Sequence, residues 1–286
     1  MKTYILILTL FLVKVSPAQF ENTDVGARAV ALSGAFTAVS NNSQAIFYNP
    51  AGLAQLKYRE LSFFLSPAPF GMTELSTAAL SFAEPLKTGV IGAAIKAYGY
   101  ELYRETSVYL SYGNNYKNRI FYGGNVNLYY LKIQDNSAAS IGIDLGAMAY
   151  LTPYIRWGFF GKNITGSTIG LSKEKIVQVY RSGLNYQPLP ELSLILEFEK
   201  DVKYPVSVRG GFEYSLMDYV DLRFGVGNEP SNYSSGIGFN YDRFTLDYAL
   251  YKSQDLGITH QGTITLNFGG VKSRKESRAQ IRKAFE

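Results

Sequence analysis

From about residue 58 onward, apolar and polar side chains alternate with a period of two. Val220, Leu222 and Phe224, for example, alternate with Asp221 and Arg223. A period of two sends successive side chains to opposite faces of a β-sheet. The same alternation recurs in residues 122–128, 192–199, 244–251 and 263–268. This part of the chain is therefore predicted to form strands with one apolar face and one polar face.

Clusters of turn-forming residues divide this region into segments of about ten residues each. Thirteen such breaks leave fourteen predicted strands. The breaks fall at residues 66–69, 84–89, 98–101, 113–118, 134–137, 152–154, 162–175, 187–190, 201–205, 216–218, 227–232, 240–243 and 253–257. Tight turns contrast with the long polar stretch 162–175. An even strand number and connections of unequal length are typical of an antiparallel transmembrane barrel.

A soluble β-sandwich or barrel with packed apolar faces is the alternative. The polar face argues against it, because its mixture of Gly, Ser, Asn and charge is typical of a barrel lumen. Tyrosines also concentrate near the predicted strand ends, where an aromatic girdle would meet the lipid headgroups. They are Tyr98, Tyr100, Tyr112, Tyr129, Tyr130, Tyr150, Tyr186, Tyr214, Tyr219, Tyr241 and Tyr251. We therefore predict an all-β fold, a 14-stranded antiparallel transmembrane β-barrel over residues 58–270.

Composition excludes several other classes. With 47% hydrophobic and 15% aromatic residues, the chain has too many large apolar groups to remain disordered. Cysteine is absent and His260 is the one histidine, which excludes thiolate and His-rich metal sites. His260 has the parity of the apolar face, so it is expected to face outward and not to serve an active site. We predict no enzymatic activity and no cofactor.

The net charge of +5 comes from the two ends of the chain. Residues 1–18 carry +2 and residues 272–286 carry +4, which leaves the body near −1. A nearly neutral body has no general attraction for nucleic acid, so no nucleic-acid partner is predicted.

Residues 1–18 have the features of a cleavable signal peptide. Lys2 precedes an apolar run over residues 4–13, and the small residues Ser16 and Ala18 precede the predicted cleavage point. A buried N-terminal strand is the alternative. Export through a cleavable signal peptide places the protein in the bacterial cell outer membrane. The basic tail, residues 271–286, would lie in the periplasm, either as a surface helix for anionic lipid or a partner, or as a solvated tail.

Residues 19–57 do not alternate and are rich in small side chains. Asn49 is predicted to cap a short helix that starts at Pro50 and ends at Leu53 or Gln55. An ordinary amphipathic helix on a soluble core is the alternative. Two motifs stand in order here, one from Gly26-Ala27-Arg28 to Gly34 and one at Asn49-Pro50-Ala51-Gly52-Leu53.

These motifs resemble the N-terminal signature of outer-membrane barrels related to the long-chain fatty-acid transporter FadL and, more closely, to the PorV/PorQ group. The resemblance spans residues 26–54. It implies a fourteen-stranded barrel whose N-terminal segment, residues 19–57, folds into the lumen; we call this segment the hatch. A barrel of this width would leak unless something occupies it. The chain is shorter than the family pattern, with little room for the extended external loops that capture ligand.

Eight charged residues have the parity of the polar face and are predicted to point into the lumen. They are Arg156, Lys162, Glu197, Arg209, Glu213, Asp221, Arg223 and Asp247. They either contact a solute or neutralise one another and hold the hatch in place. Pairs across neighbouring strands, such as Arg209 with Asp221 and Glu213 or Arg223 with Asp247, favour the second role.

Two functions fit these features. The first is transport of a hydrophobic or amphipathic solute across the outer membrane, gated by the hatch. The second is a non-conducting accessory barrel of a protein export system, type IX secretion, with secretion-system proteins as partners. Both place the barrel wall in outer-membrane lipid.

Overall fold

The computed structural model describes residues 19–21 and 24–269, so the predicted signal peptide and basic tail lie outside the described residues. Fourteen strands form a closed antiparallel barrel, as predicted. Its strands are β1 (Glu60–Ser66), β2 (Thr77–Leu86), β3 (Gly89–Gly99), β4 (Tyr103–Tyr116), β5 (Ile120–Ile133), β6 (Asn136–Tyr150), β7 (Ile155–Lys162), β10 (Val179–Leu189), β11 (Leu192–Asp201), β12 (Val206–Met217), β13 (Val220–Asn228), β14 (Ser231–Tyr241), β15 (Phe244–Ser253) and β16 (Gly257–Asn267). A small hairpin, β8 (Thr168–Ile169) and β9 (Glu174–Lys175), lies between β7 and β10.

The barrel closes where β1 pairs with β16, with Leu61 opposite Leu266. Every other wall strand pairs with neighbours on both sides. Closure satisfies the backbone hydrogen bonds that an open sheet edge would leave unpaired in lipid. The thirteen predicted breaks all coincide with connections between these strands, because turn chemistry marks the ends of strands.

The two ends of the barrel differ in their connections. At one end, called the turn end, the six connections between strands are short, with residues 151–154 the longest of them. At the other end, the loop end, residues 67–76 and 163–178 form the long connections. The loop 67–76 contains 3₁₀ helices Pro69–Gly71 and Thr73–Leu75, and the loop 163–178 contains the β8–β9 hairpin.

The outer surface of the barrel is apolar. Leu110 and Ile141 are each 63% exposed, and Phe224, Leu246 and Ile264 also face outward. Soluble monomers rarely expose large contiguous apolar patches, whereas the lipid-facing band of a transmembrane barrel consists of them. Within residues 19–21 and 24–269, no helix has the length and apolar character needed to cross a membrane.

The prediction of an aromatic girdle is wrong for four of the eleven tyrosines. Tyr129 is fully buried, and Tyr98, Tyr150 and Tyr251 are only partly exposed and contribute to the interior. Parity explains the difference, since Tyr129 alternates with the lipid-facing Leu128 and Tyr130. The remaining seven tyrosines of the set are exposed on the outside.

The hatch body, residues 24–56, lies against the inner side of the wall and is almost entirely buried. It contains two single-turn helices, α1 (Ala27–Val30) and α2 (Ala45–Tyr48), followed by 3₁₀ helix Pro50–Gln55. Asn49 caps that helix, since its side chain accepts a hydrogen bond from the Ala51 N–H at 3.2 Å. The predicted cap and helix are confirmed.

Candidate functional site

Inward-facing glycines of the wall allow the hatch body to lie directly against the strands. A Cβ on Gly225 would fall 2.5 Å from the backbone nitrogen of Ser33, and one on Gly123 would fall 2.6 Å from the carbonyl carbon of Pro50. Gly113, Gly158 and Gly236 are equally close to hatch atoms. Any side chain at these positions would push the hatch away from the wall. The glycines of the polar face thus have a packing role that the alternation alone did not reveal.

A buried ion-pair network ties α1 to the wall. Arg28 donates from Nε to Glu213 at 2.7 Å and from Nη2 at 2.9 Å, so the pair is bidentate. Glu213 also accepts from Arg223 Nε at 2.7 Å, and Arg223 donates from Nη1 to Asp247 at 2.7 Å. Burial alone lowers the pKa of Arg28, but Glu213 raises it above its usual value. Arg28 therefore remains charged, and its removal would leave a buried anion without its hatch partner.

Further wall carboxylates hold the hatch backbone. Glu197 accepts from the Thr37 N–H at 2.8 Å, and Glu60 accepts from the Ser43 N–H at 2.7 Å. These carboxylates satisfy N–H groups that no helix or strand of the hatch satisfies.

Arg156, on β7, donates to Gln55 Oε1 at 2.9 Å at the turn end of the hatch. The ties to the wall therefore extend from α1 to the last residue of the 3₁₀ helix.

Two hatch-motif glycines adopt backbone conformations that other residues rarely take. Gly26, with φ of +98°, precedes α1, and Gly34, with φ of +80°, lies beneath the guanidinium of Arg209. Gly52 instead provides space, since it lies against the backbone of Ser40. The other motif residues, Ala27, Ala51 and Leu53, are buried within the hatch.

The N-terminal tripeptide, Gln19–Glu21, is held at the loop end by the loop 163–178. Gln19 donates to the carbonyl of Lys175 at 3.2 Å and accepts from the Val177 N–H at 3.0 Å. Phe20 donates its N–H to Glu105 at 2.8 Å, and its carbonyl accepts from Lys162 at 3.3 Å. The tripeptide thus joins the loop to the inner wall.

The side chain of Phe20 fills an apolar compartment. It is 1% exposed, and its ring centroid lies 4.9 Å from that of Tyr129. Leu131 and Val179 from the wall, with Ile169 and Ile176 from the loop, complete the cluster. A hydrophobic molecule of similar size would find the same surroundings if Phe20 moved out.

This compartment adjoins a break in the strand pairing, which we call the seam. Pairing between β6 and β7 runs from Tyr150 opposite Arg156 to Leu145 opposite Gly161 and then stops. Residues 136–144 of β6 remain paired with β5 on their other edge. On the seam side the loop 163–178 covers them, with an Ile164 N–H to Ile143 carbonyl bond of 2.8 Å. The wall is therefore completed here by a loop instead of a strand.

A cavity of about 700 Å³ opens at the loop end beside the tripeptide. Glu21 lines it, whereas the adjacent Phe20 fills the apolar compartment. A second cavity of about 260 Å³ lies under the loop 67–76, and Asp24, Phe70 and Tyr251 line both. The tripeptide thus stands between the open cavity and the seam compartment.

All eight predicted lumen charges lie on inward-facing positions, and seven of them are buried, Asp221 being partly exposed. The contact of Arg223 with Asp247 is confirmed, although their strands β13 and β15 are not neighbours but flank β14. Glu213 pairs with Arg28 and Arg223 instead of Arg209. The pairing of Arg209 with Asp221 is wrong, because Arg209 is opposite Gly227 whereas Asp221 is opposite Ser215, farther along the strand pair. Arg209 instead pairs with Glu199 at 2.6 Å.

Several residues of the site were not assigned to it from the sequence. Arg181, on β10, is buried and donates to Glu199 at 2.5 Å. Parity would have placed Tyr129, Glu199 and Arg181 in the lumen, since each alternates with lipid-facing neighbours. No periodicity could have identified Phe20, because it precedes the strands and its neighbours are distant in sequence.

Comparison with known proteins shows similarity to solved structures but none to a known sequence family. No family model matches the chain, and no curated protein matches its sequence. Among solved structures, it is similar to the CymD monoaromatic hydrocarbon channel, with 12% identity over 87% of this chain and 99% of that chain and a TM-score of 0.67. It is also similar to the P. putida toluene transporter TodX, with 12% identity over 86% and 99% of the two chains and a TM-score of 0.63.

A Pseudomonas aeruginosa FadL homologue has 10% identity over 85% of this chain and 98% of that one, with a TM-score of 0.60. The chain has the fold of these channels. At such low identity the similarity concerns the fold alone, and the closer relation to the PorV/PorQ group stays a prediction.

Proposed function

We propose that this protein is an outer-membrane uptake channel for small hydrophobic or amphipathic molecules. The observation that carries the proposal is the seam: an apolar compartment, filled by Phe20, lies where the wall lacks strand pairing. The shared fold with hydrocarbon channels supports the same class of solute and the outer-membrane location. The proposal includes that residues 1–18 are a cleavable signal peptide, which directs the export of the protein.

The hatch body favours a route through the wall over a route along the barrel axis. Moving the hatch would separate Arg28 from Glu213 and expose backbone groups that Glu197 and Glu60 satisfy. Breaking a buried ion pair by losing one partner costs about 3–5 kcal/mol. Moving the tripeptide requires its two backbone hydrogen bonds to the loop, and the bonds of Phe20 with Glu105 and Lys162, to exchange with water. A solute would therefore enter the loop-end cavity, displace Phe20 and leave through the seam into lipid.

The lumen charges act in this proposal as ties for the hatch and not as solute ligands. Of the eight, Arg156, Glu197, Arg209 and Glu213 contact atoms of the hatch body, and Lys162 holds the carbonyl of Phe20. No specific contact favours the export-accessory alternative, so uptake is the function proposed.

Uptake by whole cells tests this function. The protein would be expressed in a Gram-negative host that lacks its own hydrocarbon and fatty-acid channels, and uptake of labelled toluene and of a labelled fatty acid would be measured. We expect toluene uptake several-fold above that of cells carrying the empty vector. Heat-modifiable migration and membrane fractionation verify that the barrel is folded and in the outer membrane. Unchanged uptake of both solutes by cells with verified protein would refute the proposal.

A further inference from the structure

The loop-end cavity is strongly acidic. Six carboxylates line it: Glu21, Asp24, Glu199, Asp201, Glu229 and Asp255. Arg209 is the one basic residue in the lining, and it lies 2.6 Å from Glu199 and 3.9 Å from Asp24. With six carboxylates and one arginine, the lining carries an excess of negative charge. Clefts lined by one sign of charge concentrate ligands of the opposite sign.

The negative charge of the cavity affects the pKa of a neighbouring tyrosine. The phenol of Tyr204, on the loop between β11 and β12, donates to Glu21 at 3.2 Å. The charge of Glu21, followed by burial and the charge of Asp201, raises the pKa of Tyr204 above its usual value. The potential at this mouth thus disfavours a further negative charge, which an anionic ligand would bring.

The cavity also offers aromatic rings and an unused hydrogen-bonding group. Phe70 and Tyr251 line it with their ring centroids 6.2 Å apart in an edge-to-face arrangement, and Tyr204 lines it as well. Aromatic faces attract organic cations. The hydroxyl of Ser207, on β12, is buried among the lining residues and has no hydrogen-bond partner within residues 19–21 and 24–269. It is available to accept a hydrogen bond from an ammonium group that carries an N–H, whereas a quaternary ammonium would use only the charge and the aromatic rings of the cavity.

The carboxylates are spread around the cavity instead of meeting at one point. Within the described part of the chain, no three acidic or histidine side chains are placed so that they could hold a metal ion. A volume of about 700 Å³ is within the range of small-molecule sites. The arrangement therefore suits a large organic cation better than a compact inorganic one.

We propose that the loop-end cavity is a binding site for amphipathic organic cations, that is, an ammonium group carried on a small apolar or aromatic body. The biological role of this site rests on the proposed function, since such cations would be the solutes that the channel admits first. Binding itself is a property of the cavity and can be measured without transport.

The test compares three ligands that share an aromatic ring but differ in charge. Benzyltrimethylammonium is the cation, neopentylbenzene is its neutral counterpart of the same shape, and phenylacetate is the anion. Binding to the purified barrel in neutral detergent would be followed by ligand-observed NMR at about 0.15 M salt. We expect at least tenfold tighter binding of the cation than of either other ligand. Equal binding of the cation and neopentylbenzene would overturn the inference.

Charge-removing variants locate the site. Glu229→Gln with Asp255→Asn removes two exposed carboxylates of the cavity. We expect this double variant to bind benzyltrimethylammonium roughly tenfold more weakly. Glu101→Gln with Asp135→Asn removes two exposed carboxylates from other loops of the same end, outside the lining. At this salt concentration the Debye length is about 8 Å, so the control pair should leave affinity unchanged.

The remaining outcomes separate the two proposals. Equal weakening by both double variants would mean that the cation senses only the overall charge, which overturns the site. The site would also be overturned if millimolar calcium displaced the cation with equal affinity from the parent protein and from both double variants. Cation binding at this site without uptake in cells would refute the transport function while leaving the site intact. Uptake of neutral hydrocarbons without cation preference would leave transport intact and overturn this inference.

Discussion

The hatch body and the N-terminal tripeptide both occupy the lumen, yet they are attached to the wall by different chemistry. The hatch body is held by buried charge, as in the contact of Arg28 with Glu213, and by glycines that bring backbones together. The tripeptide is held by two backbone hydrogen bonds to the loop 163–178, by Glu105 and Lys162, and by one apolar side chain, Phe20.

This difference predicts different mobility. A buried ion pair resists separation because each partner would be left as an unpaired charge in a low-dielectric environment. An apolar side chain in a closed compartment loses only its packing when it leaves, and another apolar molecule can replace that packing. The hatch body is thus built to stay in place, and the tripeptide is built to exchange with a hydrophobic ligand.

Removal of Glu213 should produce the largest loss of stability. Glu213→Ala leaves Arg28 without its carboxylate and Arg223 with fewer partners, so we expect a loss of about 3–5 kcal/mol in the free energy of unfolding. Urea unfolding in detergent, read by heat-modifiable migration, measures it. Arg59→Gln breaks the more exposed pair with Glu84 and should cost less than about 1 kcal/mol. Equal losses in the two variants would mean that the hatch is not anchored by this network.

A smaller loss of stability should follow from adding a side chain to a wall glycine that contacts the hatch. Gly225→Ala places a Cβ against the backbone of Leu32 and Ser33, so it should destabilise the barrel by about 1–3 kcal/mol. Gly210→Ala is the matched control, because its Cβ would meet nothing closer than the Ile195 carbonyl at 3.6 Å. The same unfolding assay compares them. A Gly225→Ala barrel as stable as the control would show that the hatch can shift away from the wall.

Phe20→Ala should change stability least, although it removes a buried aromatic ring. The tripeptide is expected to open locally without unfolding of the barrel, so the unfolding midpoint should stay close to that of the parent. Toluene uptake by cells should rise, since the occupant of the compartment is gone. Phe20→Leu, which retains an apolar side chain, is the control and should resemble the parent. A fall in uptake with Phe20→Ala would contradict the idea that Phe20 blocks the route.

The barrel wall could be predicted from sequence because the two faces of each strand correspond to alternating residues. The parity of Asp221 and Arg223 placed both in the lumen, and the turn residues marked every connection. The position of each residue along the barrel axis was harder to predict, because it depends on the register of neighbouring strands. The predicted pairing of Arg209 with Asp221 was therefore wrong, whereas that of Arg223 with Asp247 was confirmed.

The seam lay beyond prediction for a different reason. It arises because β7 ends at Lys162 while β6 extends to Asn136 at the same end, a difference in strand length that only the pairing reveals. The hatch motif did predict the capped helix at Pro50, since Asn49 and Pro50 act locally. Phe20 meets Tyr129 across more than a hundred residues, so no local pattern indicates their contact.

Cross-linking in this cysteine-free chain tests the central claim, that the hatch body stays in place while the seam opens. Ala38→Cys with Gly183→Cys joins the hatch to the wall, because a Cβ on Gly183 lies 3.3 Å from that of Ala38. Ala138→Cys with Gly170→Cys joins β6 to the loop across the seam, at 4.0 Å. Both distances are close to the 3.5–4.5 Å between the Cβ atoms of natural disulfides.

Toluene uptake by cells carrying each oxidised cross-link, before and after reduction, is the deciding measurement. The hatch cross-link is expected to leave uptake at the parent level under both conditions. The seam cross-link should abolish uptake when oxidised, and reduction should restore it. The opposite pattern, with uptake lost on locking the hatch and retained on locking the seam, would show that the solute passes the hatch body and not the seam.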